Sequence, residues 1–462
     1  MTKKILFAII LFLPLLSISQ NIKGIVLSSN GEPLKDVNIF ATLNKVGTKT
    51  NQNGEFALNL KTKLQNEEVL EFSHVGYTTS RVSITYLTRQ NFKIHLEESI
   101  ENLSAVVVIS TLKLKPKLEY NVLKKLKYPV FAFGSFIKDD KIYVMGGNPF
   151  PEIDWLEKLR SERADFTLTD YLAQSQYTMD KQHYKRNLSV YDIKTNTWTT
   201  PISKLKSKGR AYHNIHYYNN SIYVLGGKKI YVNIRTTWEY LQDQIEVVDI
   251  DSLSSKIDFT NPHQAANFAS FTYKDNIIAL GGSVSSTEDG KKVFTNKVHL
   301  YDITSGYWHE LPDMPTAKET TGILINDKIY LIGGDNGKLL SDIETFDLTT
   351  GKWQIEGQAF SELERPAVTY HDNMIYFFED RKMYTYDLKS TVLKEYEIDI
   401  ELKYSAMYYD NNKLYLLGGR FENSYSKIPS SRLVSIDLDE FKKTRPNKTK
   451  ILSQGSAVAK AN

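Results

Sequence analysis

Between Asn21 and about Glu98 the chain alternates apolar and polar residues in short runs, among them Ile22 to Leu27, Val37 to Ala41, Phe56 to Leu60 and Val69 to Phe72. Turn formers such as Ser29-Asn30-Gly31 and Asn51-Gln52-Asn53-Gly54 bound them. A period of two sends alternate side chains to opposite faces of a strand, so each run has one buried and one wet face. Seven such runs in this stretch predict a two-layer antiparallel sandwich. Past residue 128 the pattern changes. Runs such as Ile142 to Met145 and Ile277 to Leu280 are apolar throughout and end in two glycines, as expected of inner strands covered on both faces.

Those runs repeat. DKIYVMGG at Asp140 to Gly147 returns as NSIYVLGG at Asn220 to Gly227, DNIIALGG at Asp275 to Gly282, DKIYLIGG at Asp327 to Gly334, DNMIYFFED at Asp372 to Asp380 and NKLYLLGG at Asn412 to Gly419. A second phrase follows each, centred on Asp192, Asp249, Asp302, Asp347, Asp387 and Asp437, which span 245 residues at a mean spacing of 49. Trp198, Trp308 and Trp353 each stand six residues beyond such an Asp. Glycine pairs let the backbone take positive φ and leave room for an aromatic against the main chain, for which these tryptophans are the natural occupants. The Asp is expected to be a buried acceptor for turn amides, because an unpaired carboxylate inside a sheet is costly.

The residues Gly24, Val26, Gly31, Pro33-Leu34, Val37, Gly47-Thr48, Thr50, Gly54, Phe56, Leu70, Phe72 and Gly76-Tyr77 resemble the carboxypeptidase regulatory-like domain. That resemblance implies an accessory module of the kind that precedes larger domains in exported proteins of Bacteroidetes-type bacteria. The combined Gly-Gly, Tyr-Asp and Trp signature over residues 128 to 445 resembles the kelch repeat, whose period is about 50 residues. Together they imply an all-β chain: a small N-terminal β-sandwich followed by a six-bladed kelch-type β-propeller. The boundaries read as a signal peptide at 1–19, the sandwich at 20–110, a linker at 111–127, the propeller at 128–452 and a tail at 453–462. Ile100 to Ile109 is one further strand candidate. Blade five has Glu379-Asp380 in place of glycines and Leu393 at the Trp position, while blades two and six have Ser255 and Lys443 there, so these blades are expected to be looser. The last strand of blade six is poorly patterned, which points to ring closure by a strand from the linker.

The first residues are an address rather than structure. Lys3 and Lys4 precede an apolar stretch from Ile5 to Leu16, too short for a bilayer span, and Ser17-Ile18-Ser19 offers small side chains for cleavage before Gln20. Export to the periplasm or cell surface of a Gram-negative bacterium follows, with no transmembrane segment after cleavage. The formal charge of +4 is a small difference between 58 basic and 54 acidic residues, and no positive stripe gathers, so nucleic acid is not an expected partner. With Cys at 0, thiolate metal sites, thiol nucleophiles, disulfides and the copper-oxidase type of kelch chemistry are excluded.

No Walker loop, dinucleotide fingerprint, HExxH or GxSxG is present, and no cofactor or metal is expected. His95 and Glu98 have HxxE spacing, and His213 and His216 stand three apart, but on strands such pairs diverge. Function is expected in the loops. The interval from Gly pair to Asp runs from 46 residues in blade one to 8 in blade five, and variable insertions on a constant scaffold mark a binding face. The blade-one insertion, Pro149 to Arg186, includes a helix candidate at Glu152 to Ala164. Trp, Tyr and Arg dominate hot spots, so Trp155, Arg235, Trp238, Tyr240, Arg381 and Arg420 are the candidate ligand contacts for an envelope protein or glycan. The reading is a binding module. The alternative is a carbohydrate enzyme resembling the periplasmic kelch sialic acid mutarotase (N-acetylneuraminate epimerase), with Glu319 as acid/base and Arg210 or Arg365 for the sugar carboxylate.

Overall fold

A computed structural model describes residues 20–60, 68–99, 113–163, 165–175, 183–200, 209–232, 237–258 and 260–452. The expected signal peptide, the tail at 453–462 and the strand candidate Ile100 to Ile109 lie outside the described residues. The chain divides into two compact units, Met1–Thr111 and Leu112–Asn462.

The first unit has two sheets. One has the order Glu55–Leu60, Gln20–Ser28, Lys93–Leu96, and the other Val46–Lys49, Asn38–Ala41, Val69–Ser73, Ser80–Ser83. Strict alternation in Glu55–Leu60, with Phe56, Leu58 and Leu60 buried, supplies one side of a core completed by Val26, Val37, Ile39, Leu70 and Phe72. The sandwich is not wholly antiparallel, because Gln20–Ser28 pairs in parallel with Lys93–Leu96. The long connection that a parallel pair requires runs through the other strands and ends in a short helix, Ile84–Arg89, that leads back from the second sheet to the first.

In the second unit six sheets follow one another among the described residues, five of four strands and one, the fifth, of six. The innermost strands are Gly134–Lys138, Asn214–Tyr218, Ala269–Tyr273, Gly322–Ile325, Ala367–His371 and Ala406–Asp410. Each contacts the next, and the sixth returns to the first, so the sheets are blades of a propeller. The apolar second strands are buried as expected: Ile277, Ile278, Ala279 and Leu280 are inaccessible.

Three details differ from the sequence-based expectations. The space beside the glycine pairs is filled from the following blade rather than by the tryptophans. A Cβ on Gly146, Gly226 or Gly418 would lie within 2.7 Å of His213, Phe268 or Phe133 respectively. Each of these glycines has positive φ (72°, 56° and 63°), so both sterics and backbone select glycine. Trp198, Trp308 and Trp353 instead sit on the outermost strands, directly across from Tyr191, Tyr301 and Phe346. Trp353 stacks on Phe346 with ring centres 4.6 Å apart. Five of the repeat aspartates, from Asp192 to Asp387, do accept turn amides, Asp347 from Thr349 and Thr350 at 2.9 Å each, but they are half-buried at the sheet edge.

Blade five is not loosened. Leu393 is fully buried opposite Tyr386, and Phe377 and Tyr384 pack beside it. Glu379, standing where a glycine was expected, turns inward and accepts the amides of Glu364 at 2.9 Å and Arg365 at 2.8 Å. The stretch expected as a linker is partly structural. Asn121–Val122 forms the outer strand of blade six, and Lys117–Leu118 pairs in parallel with the outer strand of blade five, Val392–Ile398. The C-terminal strand Lys448–Ile451 pairs antiparallel with the same strand. Two-residue strands carry too little periodicity to be read from sequence, although closure from this segment was legible in the poor last strand of blade six.

Candidate functional site

The repeat sets up the site before any insertion contributes. The bridges Ala211–Lys228, Ala266–Ser283, Glu319–Asp335 and Lys403–Arg420 each join the turn leading into a blade to the residue after its second glycine. One position further on, Tyr212, Asn267, Thr320, Arg365 and Tyr404 gather around the propeller axis. Main-chain bonds link them between blades: Tyr212 N–H donates to Ala132 O at 2.7 Å, Asn267 to Tyr212 O at 3.2 Å and Thr320 to Asn267 O at 3.3 Å. Tyr212, Asn267 and Tyr404 hold left-handed backbone (φ 60°, 55° and 56°), sparsely populated for such residues and held here by the repeat.

Insertions raise walls on this floor. Blade two adds the hairpin Lys228–Val232 with Thr237–Leu241, and blade three adds Ser283–Ser286 with Lys292–Phe294. From blade one, Glu152–Ile153 joins the blade-six hairpin Arg420–Glu422 with Ser426–Pro429 as a third strand. The walls and floor enclose a cavity of about 460 Å³. Four ion pairs line it: Lys228 with Glu239 at 3.0 Å, Lys292 with Glu319 at 2.9 Å, Lys427 with Glu152 at 3.5 Å and Arg420 with Glu364 at 3.8 Å.

Burial shapes the chemistry of the floor. The Tyr404 hydroxyl donates to Glu364 at 2.7 Å, and burial, reinforced by the carboxylates of Glu364 and Glu319, raises its pKa well above the ordinary phenol value. Arg420, nearly inaccessible, lies over the Tyr404 ring at 4.1 Å and over Phe131 at 5.2 Å. Burial works against its charge, but Tyr404, Glu422, Glu364 and Glu152 outweigh that and raise its pKa. Glu319 takes Lys292 on one carboxylate oxygen, while the other, Oε1, is buried with no hydrogen-bond partner.

The expected site residues divide sharply. Tyr240, Arg420 and Glu319 line the cavity. Trp238 stands two residues from Tyr240 on the same strand, 48% exposed. Trp155 begins the helix Trp155–Glu162, capped by Asp154, with Lys158 over its ring at 4.8 Å; it does not line the cavity. Arg381 forms an exposed ion pair with Glu401 away from it. Arg235 lies outside the described residues. Arg210 is part of the scaffold: its guanidinium donates to Val224 O at 3.3 Å and Gly226 O at 3.2 Å, and burial lowers its pKa to about 10. Lys318 holds the corresponding position two blades later, donating to Gly333 O and Glu344. Arg365 sits two register positions further along and is committed to the carbonyls of Asn267 and Thr320 under the floor.

Sequence reasoning missed Lys228, Lys292, Glu364 and Tyr404. Lys228 and Arg420 hold the same place, directly after a glycine pair, and that shared register was the available signal. Among the described residues no group of three or more His, Asp or Glu is placed to hold a metal ion, and no helix is long and apolar enough to cross a membrane.

Residues 176–379 match the KLHDC2/KLHL20/DRC7 Kelch-repeats domain, and residues 22–108 match the CarboxypepD_reg-like domain. The chain is 30% identical over 119 residues to alpha-scruin of Limulus polyphemus, covering 25% of this chain and 12% of that one. It is 23% identical over 256 residues to Kelch-like protein 38 of Rattus norvegicus, covering 52% and 41% respectively. Its matches thus span less than half the length of these curated relatives. The solved structure of YjhT superposes with a TM-score of 0.49 at 13% identity, covering 68% of this chain and 99% of that one.

Proposed function

Because the chain carries a kelch-repeat domain behind a carboxypeptidase regulatory-like domain, we propose that its propeller is an exported binding module that receives a protein or glycan ligand in the cavity of its insertion-bearing face. The observation that carries the reading is the origin of that cavity: its floor comes from the repeat register and its walls from the hairpins of three regions that differ from blade to blade. A rigid scaffold bearing variable loops is how binding sites are built on repeat folds. Export is supported by the basic start at Lys3-Lys4, the apolar run and the Ser17-Ile18-Ser19 boundary, and an envelope protein or glycan is the corresponding partner.

Glu319 favours a second reading, sugar-anomer exchange, because it is a carboxylate lining the cavity with one oxygen, Oε1, that has no hydrogen-bond partner. Against it, Arg210 is nearly inaccessible and neither it nor Arg365 lines the cavity, so neither is placed to hold a sugar carboxylate there. NMR exchange spectroscopy on N-acetylneuraminate with wild type and Glu319→Gln separates the two. Binding of an envelope ligand without accelerated exchange supports the module, and exchange abolished by Glu319→Gln supports the enzyme.

A further inference from the structure

Among the described residues eight charged side chains line the cavity, four cations and four carboxylates, and each is engaged in an ion pair. An anionic ligand would have to displace a carboxylate already in place, and a cationic ligand a lysine or arginine. Uncharged hydroxyls meet no such barrier, because one hydroxyl donates to a carboxylate and accepts from an ammonium at once. Glu319 Oε1 is a buried acceptor without a hydrogen-bond partner, and Ser283, Ser285, Ser286 and Asn267 add further polar groups to the wall. Ala266 and Leu241 are the only aliphatic side chains among the described lining residues, so the wall is polar and aromatic rather than aliphatic.

A second feature continues out of the cavity. Trp238 and Tyr240 alternate by two on one strand and therefore share a face, and Tyr231 lies directly across from Trp238 with ring centres 4.5 Å apart. Tyr240 lines the cavity beside Lys228, Glu239 and Leu241 of the hairpin's other face, and the strand runs back from it through Trp238 toward the hairpin tip. All three rings are exposed, at 38% to 48%. Flat aromatic faces of this kind stack on the C–H faces of sugar rings and leave the hydroxyls at the edges free.

Resting on the binding-module reading, we propose that the ligand is a neutral oligosaccharide, its terminal residue in the cavity and the following residues along Tyr240, Trp238 and Tyr231. The test titrates the full chain with glucose, mannose and N-acetylglucosamine oligomers of one to four residues, and with oligogalacturonate, sialyllactose and an envelope-peptide mixture. At least one neutral series is expected to bind more tightly with each added residue, by tenfold or more from monomer to tetramer. Trp238→Ala flattens that dependence while leaving monomer binding within twofold, and Ser286→Trp, which fills the cavity from an exposed position, removes binding of every length. Preferential binding of an acidic oligomer or a peptide, sensitive to Ser286→Trp, overturns the inference and leaves the cavity reading standing. Failure of every neutral series overturns the inference as well, and binding insensitive to Ser286→Trp overturns both.

Discussion

The guanidinium of Arg420 lies 4.1 Å from the centre of the Tyr404 ring, joining a residue that follows a glycine pair to one that leads into the same blade. It also meets Glu422 at 3.1 Å and Glu364 at 3.8 Å. Removing one member of a buried charged group strands the others, at a cost of about 3 kcal/mol. Arg420→Met is expected to lose that much in urea unfolding, and Arg420→Lys to recover only part, because an ammonium cannot lie flat on the ring. Full recovery by lysine would show that charge alone, not stacking, is what the site requires.

Trp353 is expected to be structural. Its indole stacks on Phe346 and donates to Pro312 O at 3.3 Å, remote from the cavity. Because the ring is half-buried, Trp353→Ala should cost about 2 to 3 kcal/mol, below the range for a fully buried tryptophan. Ligand affinity should not change once the variant is folded, which denaturation and binding measured side by side will check.

Glu379 gives blade five a pH dependence of its own. Burial lifts its carboxyl to about 7, against the two amide hydrogen bonds that favour ionisation. The folded chain therefore keeps a proton that the unfolded chain releases near 4.5. The associated stability is complete below that pH and is lost as pH rises through about 7, a change of about 3 kcal/mol. Glu379→Gln should remove this downward slope, read from melting temperatures between pH 4.5 and 8.

His216 acts with the opposite sign. Buried between Ser270 Oγ at 2.7 Å and Thr272 Oγ1 at 3.1 Å, it is lowered by desolvation to about 4. The unfolded chain binds the proton first, so its contribution is complete above about 6.5 and is lost as pH falls through about 4, again about 3 kcal/mol. His216→Gln should flatten the acid limb of the same melting profile. If both variants kept the wild-type profile, neither group would carry the assigned shift.

Much of this fold was legible because its signals are local. Alternation in Glu55–Leu60, the apolar strands and the Asp-to-Trp offset each lie within one hairpin. Contacts between blades were not legible. Nothing near Gly146 or Gly226 in sequence names His213 or Phe268 as the ring that fills the gap, since each comes from the next repeat. The site followed the same rule. Composition of the insertions singled out Trp155 and Tyr240 alike, but only the latter reaches the cavity. Arg210 and Arg365 both stand near the start of a blade, and a difference of two register positions places one inside a sheet and the other beneath the cavity floor.

The central claim is that ligand enters the insertion-face cavity, and the most direct measurement is the affinity of the full chain for the oligosaccharide, peptide or envelope protein it binds best when that cavity is filled. Ser286→Trp occupies the space from an exposed hairpin position without touching the buried core. Asn411→Trp, in a turn between strands at the opposite end of blade six, is the control for a bulky aromatic placed elsewhere. The expected result is a loss of at least tenfold in affinity for Ser286→Trp, with Asn411→Trp unchanged. Equal affinity for both variants and wild type, or a loss confined to Asn411→Trp, would contradict the account.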